Sequence, residues 1–217
     1  ADHTNDNTNN NNVIIHGTFA TEFSYSHEVF GEKFYVTYVN VQRLSDSIDI
    51  IPVIVSDRLI NINKNYSETD AYVVIYGQFR SYNLHEDDTC HLILSVFARE
   101  INLIENPTSE DVPALPNSIF LDGYVCKKPV YRKTPLGREI ADVLLAVNRP
   151  YGKSDYIPCI CWGRNAKFAD TFNVGDHIQI TGRIQSRAYQ KQSTLENKVA
   201  YEVSVSQLNK VEEVGAA

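Results

Sequence analysis

The stretch LLAVNRPYGKSDYIPCICWGR, residues 144–164, decides how this chain is read. Leu144 to Val147 form an apolar run, Asn148 to Asp155 a polar turn, and Tyr156 to Trp162 a second run. Two such runs around a loop too long for a two-residue turn predict a hairpin. Side chains alternate along a strand, so Tyr156, Pro158, Ile160 and Trp162 share one face, and Ile157, Cys159 and Cys161 the other. The second set suits a core. The first sets a Tyr and a Trp on an open face near Arg149, Lys153 and Arg164.

Upstream, Ile119 to Cys126 read as a strand, followed by the loop KKPVYRKTPLGR at 127–138. That loop carries Lys127, Lys128, Arg132, Lys133 and Arg138, and its prolines are expected to keep it from pairing as a strand. Downstream, residues 165–173 predict a short helix with Ala166, Phe168, Ala169 and Phe172 inward. A turn at Val174-Gly175-Asp176 leads to a strand at 177–189, a polar and mobile loop at 190–198, and a closing strand at 199–211. This order of elements is that of an OB barrel, a five-stranded Greek key whose ligand face is strands 2 and 3 with the first and last loops.

The first half of the chain repeats the pattern. At a constant offset of 106, Gly17 matches Gly123, Gly31 matches Gly137, Arg43 matches Arg149, Asp49 matches Asp155, Pro52 matches Pro158 and Arg58 matches Arg164. After a one-residue slip, Ile75, Gly77 and Ser81 match Ile180, Gly182 and Ser186. An offset held over so many positions indicates an internal duplication. The expected fold class is therefore all-β: two tandem OB barrels, each with a short helix or loop between strands 3 and 4. The expected divisions are a disordered arm at 1–12, a degenerate acidic barrel at 13–105, a proline-containing linker at 106–117, and a ligand-binding barrel at 118–213.

The net charge of −7 conceals an asymmetry. Residues 1–112 hold 6 basic and 17 acidic side chains, whereas residues 113–217 hold 14 basic and 10 acidic ones. A charge of −11 repels phosphate and one of +4 does not, so any electrostatic case for nucleic acid rests on the second half. No run of 18 apolar residues and no signal-peptide core is present, so neither a membrane span nor export is expected. Cys90, Cys126, Cys159 and Cys161 make no CxxC pair and no metal spacing with the six histidines, which fits a reducing cytoplasm. The sequence has no phosphate-binding loop, nucleophile elbow or zinc-protease motif. The expectation is no catalysis, no metal and no cofactor.

The second half resembles the bacterial single-stranded DNA-binding proteins. The matching elements are Phe120 to Gly123, Thr134 to Gly137, Leu145 to Arg149, Ile157 to Trp162 and Thr181 to Arg187, within 118 to about 211. The resemblance implies stacking platforms at Tyr151, Tyr156, Trp162 and Tyr189. Beside them Lys127, Lys128, Arg132, Lys133, Arg138, Arg149, Lys153, Arg164, Arg183 and Arg187 are the candidate phosphate contacts. Arg149 and Arg164 recur in the acidic copy as Arg43 and Arg58, which argues for a partly structural role. The acidic copy lacks the platforms: Ser45, Ile50, Ser56 and Leu84 occupy the matched positions.

The expected function is sequence-tolerant binding of single-stranded DNA in replication, repair and recombination. The alternative is a primosome-type protein-interaction module with weak DNA or RNA binding. Because the family presents four OB folds per assembly, the resemblance implies a homodimer, with replication proteins as further partners and a nucleoid-associated place in the cytoplasm. Family members commonly carry a long tail with an acidic, aromatic tip, and residues 212–217, EEVGAA, contain no such tip.

Overall fold

The computed structural model describes residues 9–190 and 197–213. The elements of the first repeat are β1 (Asn11–Phe19), β2 (Ser24–Val29), β3 (Glu32–Gln42), β4 (Ile48–Ser56), β5 (Tyr72–Glu86) and β6 (Thr89–Ile104). Those of the second are β7 (Asn117–Val125), β8 (Val130–Lys133), β9 (Glu139–Asn148), β10 (Ser154–Trp162), the helix α1 (Arg164–Asp170), β11 (His177–Gln190) and β12 (Asn197–Lys210). The all-β expectation holds. No helix among the described residues is long and apolar enough to cross a membrane.

Both repeats close in the same way. In the first, neighbours run β2-β3-β4-β6-β5-β1, and a second pairing of β1 with β3 shuts the barrel. In the second they run β7-β11-β12-β10-β9-β8, shut by β7 with β9. The third and last main strands are parallel in each case, through Val53 opposite Val96 and Cys159 opposite Val203. Closure brings backbones together at the matched glycines. A Cβ on Gly17 would lie 1.8 Å from the Asn40 carbonyl oxygen, and one on Gly123 would lie 2.3 Å from that of Ala146. Only glycine fits there, which explains the repetition.

Period-2 alternation fills each core. Along β9, Ala141, Val143, Leu145 and Val147 are buried, and Ile157, Cys159 and Cys161 meet them from β10. In α1, Ala166 and Ala169 lie inward, and Phe172 follows just beyond it, fully buried. Phe168 does not: it is 37% exposed and packs edge to face on Phe172, at 4.9 Å between centroids. A helix of seven residues has one inward stripe, and the two alanines occupy it. The first repeat replaces α1 with a 3-10 turn at Tyr66–Glu68, capped by Asn65, and Tyr66 packs on Phe19 and Phe23.

Two local expectations are corrected. Val130–Lys133 does form a strand, paired with Glu139–Asp142 of β9. Pro129 and Pro135 flank this strand rather than interrupt it, so its ladder keeps every donor. The turn from β8 to β9 closes through Gly137 at φ 81, whose N–H donates to the Thr134 carbonyl at 2.8 Å. At the other end of the chain, Asn10 and Asn11 are buried rather than part of a disordered arm. Backbone pairing needs no apolar side chain: the Asn10 carbonyl accepts from the Asp122 N–H at 2.8 Å, and its side-chain amide donates to the Asn148 carbonyl at 2.6 Å. The rest of that expected arm, residues 1–8, lies outside the described residues, as does most of the loop expected at 190–198.

The described residues divide into two compact units. The first comprises 13–118 together with 184–190 and 197–201; the second comprises 9–12, 119–183 and 202–213. The far ends of β11 and β12 therefore pack with the first repeat, although sequence order alone assigns them to the second barrel.

Candidate nucleic-acid interface

In the second unit, β8, β9 and β10 lie side by side, and the register sets residues of one face in rows, buried Ile140 among them. Arg132 stands opposite Ile140, which stands opposite Trp162. Further along the same ladder, Tyr156 lies opposite Ala146. The small alanine leaves the Tyr156 ring open, at 42% exposure. Trp162 is half-buried, with the Arg138 guanidinium over its ring at 5.1 Å from the centroid. This cation lies against a π face, an arrangement worth about 0.5–1 kcal/mol at an exposed site.

The loop between β9 and β10 presents the next ring. Tyr151 sits at φ 69, beside Gly152 at φ 82, and its side chain is fully exposed. Arg149 secures this turn. Its N–H donates to the Lys153 carbonyl at 2.6 Å, and its guanidinium donates to both carboxylate oxygens of buried Asp155, at 2.8 Å from Nε. Arg43 and Asp49 repeat the device at 2.7 and 2.8 Å. Arg149 thus has a structural part in this turn, in keeping with the partly structural role its recurrence suggests.

The other cations differ in partners and exposure. The Lys128 ammonium donates to the Asp170 and Phe172 carbonyls at 2.9 and 2.7 Å, which places it at the C-terminal end of α1. Arg132 faces Asp142 at 3.5 Å, a half-exposed pair that water screens and a phosphate can compete for. Lys127, Lys133 and Lys153 are exposed, as is Arg164 at the start of α1, and Arg183 is partly buried on β11. Arg187 and Tyr189, both exposed, belong to the first unit, whereas the other candidate residues belong to the second.

One ring escapes the sequence reading. Tyr124, at the end of β7, stands opposite Ala146 and so shares a row with Tyr156. It is partly exposed and stacked on His177 at 4.8 Å, and His177 in turn meets Asp122 at 2.5 Å. Alternation along β7 marks it, because Phe120, Asp122 and Tyr124 share the outward face.

On the matched face of the first repeat, the position of the Arg138–Trp162 pair is filled by two side chains hydrogen-bonded to each other, while Ile50, at the position of Tyr156, is exposed. Glu32 occupies the position of Arg138 and Ser56 that of Trp162, and the Ser56 hydroxyl donates to the Glu32 carboxylate at 2.5 Å. Arg58 pairs with the same carboxylate at 3.7 Å. This position therefore presents neither a ring nor an uncompensated cation.

The single-strand binding protein family matches residues 116–211. Single-stranded DNA-binding protein B of Bacillus subtilis is 32% identical over 83 residues, covering 35% of this chain and 74% of that protein. The single-stranded DNA-binding protein of Halalkalibacterium halodurans is 35% identical over 80 residues, and that of Oceanobacillus iheyensis 34% over 83. Of these last two proteins the chain spans about half the length, 48% and 52%. The wild-type single-stranded DNA binding protein from Thermus aquaticus shares the fold at a TM-score of 0.75, with 17% identity over 95% of both chains. The matches to the second repeat and the likeness of fold across the chain agree: this protein belongs to the single-strand binding protein family.

Proposed function

We propose that this protein binds single-stranded DNA without sequence preference and without catalysis, in the service of replication, repair and recombination. Bases stack on Tyr151, Tyr156 and Trp162, with Tyr189 as a fourth platform, while Lys127, Lys133, Arg138, Lys153, Arg164, Arg183 and Arg187 follow the phosphates. The observation that carries this reading is the outward row of β10, with Tyr156 open and Trp162 beneath Arg138. Unstacked bases present π faces and a charged backbone, which such a surface complements irrespective of sequence. The first repeat takes no nucleic acid on its matched face, where Glu32 and Ser56 satisfy each other. Two chains assemble, presenting four barrels, and the site of action is nucleoid DNA in the cytoplasm.

Trp162 is the single tryptophan, so its emission reports the proposed site. Titration with dT oligomers should quench it, and native mass measurement should give two chains per complex. Unchanged emission at saturating oligomer would overturn the site, and a monomeric complex would overturn the assembly. Stronger quenching by rU than by dT oligomers would redirect the reading to RNA.

A further inference from the structure

We propose that Asp49 of the acidic repeat is a positioning residue for nucleic-acid binding: it clamps the β11–β12 arm that carries Arg187 and Tyr189. The proposal rests on the DNA-binding reading above and gives the acidic repeat a part in it.

The Asp49 side chain is 0% exposed, although it carries a charge. Arg43 grips both its oxygens. Oδ1 also accepts the Ser186 N–H and the Ser186 hydroxyl, each at 3.0 Å. The Arg43 Nη2 donates to the Ser186 carbonyl at 3.4 Å, so the pair holds donors and acceptor of one residue together. A buried carboxylate met by several donors is stiff, because releasing any of them leaves a charge without its partners. Ser186 directly precedes Arg187 and lies three residues before Tyr189. The neighbouring strand is held as well, through the Tyr201 hydroxyl donating to the Ile50 carbonyl at 3.0 Å. Asn117 fixes the base of the arm, exchanging hydrogen bonds with Ile184 N–H and C=O at 2.9 and 2.6 Å.

Strands projecting beyond a barrel are held weakly by their own ladder, so an outer contact decides their direction. Here the contact comes from residues 43–50 of the acidic repeat, at a loop and strand that carry no platform of their own. That repeat therefore acts on nucleic acid through the arm it holds. Asp49 itself touches no ligand, and its whole effect passes through Arg187 and Tyr189.

The test uses the full chain with Asp49→Asn and the milder Ser186→Ala. Three quantities are read: hydrogen exchange of the amides at 184–190 and 197–201, dT-oligomer affinity, and the dependence of log K on log salt. Asp49→Asn should speed exchange in those two segments selectively, weaken binding about tenfold and reduce the salt slope by roughly the share of one phosphate. Ser186→Ala, which removes one of the donors, should show the same pattern at smaller size. Adding Arg187→Ala and Tyr189→Ala to Asp49→Asn should then cost much less than adding them to the native chain, a non-additivity that a general fall in stability does not produce. Full additivity, or a native salt slope with native affinity in Asp49→Asn, overturns the proposal and leaves the DNA-binding reading intact. A native chain that fails to bind dT oligomers overturns both.

Discussion

Arg138 lies over the ring of Trp162, while at the same place in the first repeat Glu32 accepts a hydrogen bond from Ser56. One barrel scaffold thus carries two opposite chemistries at matched positions. The second repeat sets a cation against a ring, and the first pairs a hydroxyl with a carboxylate.

Trp162→Ala and Tyr156→Ala should each weaken dT-oligomer binding by about 1–3 kcal/mol while leaving thermal unfolding cooperative. Tyr124→Ala, in the same row, should follow in the same direction. Anisotropy titrations on folded variants check this, and native affinity in both of the first two would refute the stacking surface.

Salt dependence separates the cations. Removing Lys127, Lys133 and Lys153 together should lower the slope of log K against log salt by about 0.7 for each phosphate no longer neutralised. Lys128→Ala should change the slope little and instead lower the melting temperature, because this ammonium satisfies carbonyls at the end of α1. If Lys128→Ala alone flattens the slope, its assigned role is wrong.

Gly123→Ala should destabilise the second unit by roughly 1–3 kcal/mol, since the new methyl meets the backbone oxygen of Ala146. Chemical denaturation measures it. A neutral result would mean that the barrel yields easily where β7 meets β9.

The thiols should react in order of exposure. Burial pushes Cys161 up to about 12 and Cys159 well above its ordinary value, whereas Cys90 is exposed. A disulfide reagent at neutral pH should label Cys90 rapidly, and Cys159 and Cys161 only on unfolding. Mass mapping of the labelled protein reads the order directly.

Acid should loosen the Asp49 clamp. Burial alone would raise this carboxyl, but hydrogen bonds from Arg43 and Ser186 outweigh it and hold the pKa below the ordinary value. The folded pKa lies under the unfolded one. The stabilisation is therefore complete above the ordinary carboxylate range and disappears as pH falls through the folded value. Asp49→Asn should flatten the acid limb of melting temperature against pH, and an unchanged limb would count against the assignment.

What was legible in the sequence was whatever is written locally or repeated. Alternation put Ile157, Cys159 and Cys161 in the core and Tyr156 on the open face, because strand period is a property of neighbouring residues. The constant offset disclosed the second barrel, since the close approaches at Gly17 and Gly123 admit no other residue. Tertiary structure alone decided which partners each polar group meets. Lys128 meets carbonyls more than forty positions away, and Asp49 meets Ser186 across 137. Val130–Lys133 gained a partner strand, Phe168 turned outward, and the ends of β11 and β12 joined the other repeat. Each of these depends on where a distant segment returns to satisfy a charge, a carbonyl or a ladder edge, and no local pattern encodes that return.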